Sequence, residues 1–155
     1  MIAARVRPVR GHALGQAGAE ILAFGFVLLL GLVLMIANVW AVIDAKATVT
    51  AAAREGARAM VESNAEQGLG DARRAVDAVV TGANRRLDSV TFVAEPSGAG
   101  GYVRCARVRV RVSARVPSIA LPHIGGLRHP FTVSSTHSEL IDPFRSGLDG
   151  VGVCA

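Results

Sequence analysis

The alternation of polar and apolar positions changes its rhythm three times along the chain. Residues 21–43 carry no charge over 23 positions, and only Gly25, Gly31 and Asn38 fall outside the hydrophobic class. As a helix this run would rise about 34 Å, enough to cross a hydrocarbon core of about 30 Å. Fifteen of its residues are Leu, Ile, Val or Phe, each favouring mid-bilayer by about 0.3–0.6 kcal/mol, so insertion wins even after discounting for depth. A buried helix of a soluble protein is usually shorter and keeps a polar face. A removable secretory signal ending at Ala45, Lys46 and Ala47 would have a much shorter apolar region. The run therefore reads as a spanning helix.

Beyond Ile43 the helical pattern continues through Ala45, Ala47, the alanines near position 52 and Met60, with no breaker before Gly68 and Gly70. One helix is expected over 16–67. Asp71 is placed to cap a second helix, in which Val76, Val79, Val80, Ala83 and Leu87 form one apolar stripe. Arg73, Arg74, Arg85 and Arg86 fall outside that stripe, on a wet face. The period then drops to two. Strands are expected over 89–95, 102–116 and about 130–141, joined by a turn at 96–101 and a longer loop at 117–126. In the middle strand Ala106, Val108, Val110, Val112, Ala114 and Val116 alternate with Arg107, Arg109, Arg111, Ser113 and Arg115, which predicts one buried face and one guanidinium-rich face. The fold expected is α+β: a long N-terminal transmembrane helix continuing into a small domain, with a second helix packed on a three-stranded antiparallel sheet. Its parts are a basic leader (1–15), the long helix (16–67), the domain (68–145) and a flexible glycine-rich tail (146–155).

Length and composition narrow this picture. With 155 residues, 51% hydrophobic, 5% aromatic and 19% charged, the chain has room for one small domain beside the span and is not a disordered polar chain. Outside the run only Phe92, Tyr102, Phe131 and Phe144 supply aromatic bulk, so the core should be thin. Arg5, Arg7 and Arg10 precede the run with no acid before Glu20, whereas Asp44, Lys46, Arg54 and Glu55 nearly balance after it. The positive-inside bias puts the N-terminus in the cytoplasm and the domain outside. There Cys105 and Cys154 can oxidise. Joined, they would close a loop whose entropy is worth about 4 kcal/mol; two free thiols, or a link from Cys154 to another chain, are equally compatible with the sequence.

Glu20 is a carboxylate at a membrane boundary, where a charge needs a partner or a reason. One reason is the helix macrodipole, which favours an acid at the helix start. Another lies in its spacing from Gly15. A short basic leader, Gly15 at a cut and Gln16 as new N-terminus would make Glu20 the fifth mature residue, the arrangement of a class III prepilin signal. A neighbouring subunit's Glu20 could then pair with the freed amine and set axial register. Downstream, Ala52, Ala53, Arg54, Glu55, Gly56, Ala57 and Arg58 resemble the A-A-R-E-G-A-R box of the TadE-like family, minor pilins or pseudopilins of tight-adherence (Flp, type IVc) pilus systems. Residues 136–147, which begin Thr136, His137, Ser138 and Glu139, resemble the end of actinobacterial members. The glycine-rich stretch 97–101 and the terminus after Gly147 depart from the family. The resemblance implies processing by a prepilin peptidase at Gly15 and Gln16, a charge role in assembly for Glu20, and assembly contacts through Arg54, Glu55, Gly56 and Arg58. The partners implied are other pilins or pseudopilins, inner-membrane pilus assembly proteins and the lipid bilayer of the cytoplasmic membrane, crossed once.

The row Arg107, Arg109, Arg111 and Arg115 admits a second reading, an unprocessed single-pass anchor or receptor whose basic sheet face binds an anionic ligand outside the cell. A solvated face that discourages edge aggregation explains the same residues. Nucleic acid does not fit, since no aromatics alternate with the arginines and the compartment is wrong. His12, His123, His129 and His137 have neither i, i+4 spacing nor an acidic cluster, so no metal is expected. With no nucleophile elbow and no phosphate-binding glycine loop, neither an enzyme nor a cofactor is expected.

Overall fold

Alanine, leucine and valine without interruption carry a helix of 50 residues, α1 (Ala13–Glu62), in the computed structural model, which describes residues 13–83, 87–97, 101–117, 130–150 and 152–154. It is followed by α2 (Gly68–Gly82) and the strands β1 (Asp88–Ser97), β2 (Arg107–Val116) and β3 (Phe131–Leu140). The strands form one antiparallel sheet in the order β1-β2-β3. The leader up to residue 12, Arg85, Arg86, the tip of the first turn and residues 118–126 of the expected long loop lie outside the described residues.

The chain divides into two units, Met1–Ala37 and Asn38–Ala155. In the first, the described side chains of α1 are almost all exposed, among them Leu22 at 76% and Phe24 at 71%. From Glu20 onward the helix is long and apolar enough to cross a membrane.

The second unit holds the core. Ala45, Val49, Ala52, Ala53, Ala57 and Met60 of α1 are buried against Ala72 and Val76 of α2 and the inner face of the sheet, Val108, Val110, Val112, Ala114, Val116 and Val133, with Ile141 just beyond β3. No aromatic ring is fully buried among them, as the composition foretold. The period-two pattern of β2 is strict: each valine or Ala114 is buried and each arginine exposed.

Several boundaries differ from expectation, each for a local reason. α1 stops at Glu62 rather than running to 67. The Ser63 hydroxyl donates to the Ala59 carbonyl at 2.9 Å and Asn64 Oδ1 accepts from the Gln67 amide at 2.8 Å, so short polar side chains compete with the helix ladder. Asp71 is not the cap of α2, which begins three residues earlier with Gln67 at the cap position and no side-chain cap bond. Its carboxylate instead accepts from the Ser63 hydroxyl and from Arg74. In the α2 stripe Val76 is buried and Val79 and Val80 half-buried, but Ala83 is exposed, Leu87 lies past the helix, and Ala72 takes a core place. β2 begins at Arg107 rather than Tyr102 because Cys105 adopts φ 63°, outside extended geometry. The tail, expected to be flexible, is tethered: the Arg104 amide donates to Asp149 O at 2.8 Å, Arg104 Nε donates to Arg145 O at 2.8 Å, and Leu148 packs against the core.

Candidate functional site

The box resembling the TadE-like motif divides by face. Ala52, Ala53, Gly56 and Ala57 point inward, while Arg54, Glu55 and Arg58 are exposed. Gly56, which the resemblance implies for an assembly contact, is buried within the chain. A Cβ there would lie 2.7 Å from Val76 Cγ2 and 3.3 Å from Val110 Cγ1, so the missing side chain lets α1 cross α2 and the sheet within the same chain. Of the outward residues, Arg58 Nε donates to Glu62 at 2.9 Å across one helical turn. That hydrogen bond, with the nearby charges of Glu62 and Glu55, raises the guanidinium pKa further. Arg54, Glu55 and Arg58 thus form an exposed charged strip above a packed alanine-glycine face.

Gly15 and Gln16 fall in the first turn of α1, which starts at Ala13. Glu20 is exposed, one residue before the charge-free run.

On the sheet's outer face the register resolves what composition could not. Arg109 stands opposite Glu95, and Arg115 opposite Asp88, while Arg111 faces Val93 and Thr136. Two of the four arginines therefore have an acid as their cross-strand register partner, which reduces the net charge of that face. Ser138, Thr136, Ser134 and Thr132 of β3 line the other flank. A shallow depression of about 390 Å³ lies at one end, lined by Ser89, Thr91, Ser113, Ala114, Arg115 and Thr132.

Cys105 and Cys154 form a disulfide across 49 positions. This ties the end of the tail to the segment that leads into β2. No family model, curated protein or solved structure matches the chain. The functional reading therefore rests on the residues and their geometry.

Polar contacts of Tyr102, Lys46 and the His137–Glu139 pair also lie in the second unit. The Tyr102 hydroxyl donates to the carbonyls of Met60 and, at 2.9 Å, Ser63, closing the C-terminal end of α1; burial pushes its pKa up. Lys46 Nζ donates to the Ser134 carbonyl of β3. His137 Nε2 and Glu139 Oε1 lie 3.4 Å apart on β3. Only the isolation of Tyr102 among so few aromatics marked it in the sequence; the other contacts depend on strand register.

Proposed function

We propose that the chain is a minor pilin or pseudopilin-like component of tight-adherence pilus assembly, anchored through α1 with its N-terminus in the cytoplasm and cut after Gly15. Its work is assembly rather than catalysis. The observation that carries the reading is a single one: Gly15 and Glu20, five apart, open a 50-residue helix that runs through a charge-free span into a small α+β domain. The exposed strip Arg54, Glu55 and Arg58 supplies charged contacts for neighbouring subunits or assembly proteins, while Gly56 serves the fold. Glu20 in an apolar filament interior would be costly without the freed amine of a neighbour as partner.

N-terminal sequencing of membrane-purified protein tests the processing. A start at Gln16 supports it; an intact Met1, or a start after Ala47, ends it. The alternative reading, an anionic-ligand receptor, draws less support because Glu95 and Asp88 face two of the four arginines.

A further inference from the structure

Within the second unit the position of the sheet along α1 can be worked out. Tyr102 bonds the Met60 and Ser63 carbonyls, Arg145 bonds the Glu62 carbonyl, and Lys46 bonds the Ser134 carbonyl. β2 therefore runs antiparallel to α1. Val110 is level with Gly56, since a Cβ on the glycine would meet it. From Val110 to Val116 the strand travels about 20 Å, at about 3.3 Å per residue. α1 covers that distance in about 13 residues, which returns it to residue 43, the last of the charge-free run. The ends of β2 and the start of β3 are thus level with the boundary of the span.

The side chains at that level match a bilayer boundary. Trp40 is 67% exposed and Ile43 56% on α1, and Phe131, at the start of β3, is 45% exposed although it stands opposite the buried Val116. Lys46 and Arg115 lie at the same end, as do Asp44 and Asp88, so the formal charges cancel. Attraction here comes from the amphipathic Trp40 ring and the long cationic stems of Lys46 and Arg115, which settle among lipid headgroups, together with the apolar Phe131 ring just beside them. The opposite end differs: Phe144 neighbours Arg145, which reaches Glu62, about 28 Å further along α1.

We infer that this end of the sheet is a membrane-seating surface: the rim formed by Trp40, Lys46, Arg115 and Phe131 rests in the phospholipid headgroup layer of the bilayer that α1 enters. The seat restricts tilting of the domain and presents the charged strip of α1 at a fixed height. It rests on the reading that α1 crosses a bilayer, and the test separates the two. Trp40 is the single tryptophan, so the native full chain in phosphatidylcholine vesicles reports the span. Trp40→Phe combined with Phe131→Trp moves the probe to the rim, Trp40→Phe with Pro117→Trp gives a second rim probe, and Trp40→Phe with Phe144→Trp probes the far end. Quenching by headgroup-level spin-labelled lipid, with blue-shifted emission, is expected at 131 and 117, and quenching by aqueous acrylamide at 144. Lipid quenching of Trp40 with only aqueous quenching at both rim probes overturns the seat alone. If Trp40 itself escapes lipid quenching, the span falls and the seat with it.

Discussion

Between residues 21 and 37, α1 leaves its large apolar side chains exposed, Leu34 apart, whereas between 45 and 60 the same helix turns Ala45, Val49, Ala52, Ala53, Gly56 and Ala57 inward. The inward face of the second stretch differs from the first in residue size: Ala, Gly and Val take the place of Leu, Phe and Ile. Large side chains would suit a bilayer, because there each adds transfer free energy without having to fit a neighbour. Small ones suit a stretch that must lie close to α2 and a sheet, where closeness substitutes for bulk. The consequence is a domain with a thin core that depends on exact backbone approach and on ties at its edges, beside an exposed apolar stretch that depends on neither.

The largest effect expected from that dependence comes from the disulfide. Cys154→Ser opens a loop of about 50 residues and should remove about 4 kcal/mol from the domain on the loop-entropy estimate. Denaturant unfolding of the full chain in detergent would show a lower midpoint for the domain. Retention in the membrane fraction should be unchanged, and loss of retention would mean that the two stretches are not independent.

Gly56→Val comes next. Its Cβ would enter the space held by Val76 Cγ2 at 2.7 Å, and valine side chains at both positions are too stiff to yield easily. Overpacking of this kind costs about 1–3 kcal/mol. Gly31→Val is the contrasting substitution, since nothing lies within 4 Å of a Cβ there. Thermal melting should fall for the first and stay level for the second; equal losses would erase the distinction between the two stretches.

These positions also mark what could be read in advance. The long apolar helix was legible from its unbroken charge-free run, and the inward valines and outward arginines of β2 from their strict alternation. The role of Gly56 was not, because a glycine in a helix reports only that a side chain is missing, and which element fills the space depends on how helices cross. The pairing of Glu95 with Arg109 needed the strand register. The early end of α1 was hidden because it depends on a hydrogen bond donated by Ser63 and one accepted by Asn64, with partners several residues away. At Gly15, Gln16 and Glu20 the sequence spacing remains the principal support, since processing is an encounter with another protein.

A smaller effect is expected from Tyr102, which closes the α1 end of the domain. Tyr102→Phe removes a hydroxyl whose single proton is shared between two carbonyls, a loss of about 1 kcal/mol. The pH dependence has a definite sign. Burial raises the phenol's folded pKa above its unfolded value near 10, against the opposing pull of Arg145. The contribution is therefore complete below about pH 10 and is lost as pH rises through the folded pKa. Unfolding midpoints measured from pH 9 upward should converge for native and Tyr102→Phe proteins, and a constant gap would show that the hydroxyl does not stabilise through its proton.

The smallest effect on folding is expected at Arg54, Glu55 and Arg58, where the comparison becomes a test of function. All three side chains are exposed, and Arg58 meets Glu62 in an ion pair open to water, a class of contact that contributes little to stability and is screened by salt. Replacing Arg54 and Arg58 by Gln should leave the melting temperature unchanged, the reverse of Gly56→Val two residues away. The proposed assembly role nonetheless predicts fewer surface pili for the double variant in a complementation assay, with normal protein level in the membrane. Normal piliation would remove these arginines from assembly and reduce the box to its packing face. Lost piliation together with a lowered melting temperature would instead mean that the strip acts through the fold. Unchanged stability with lost pili is the one result that separates the two faces of the same helical turn.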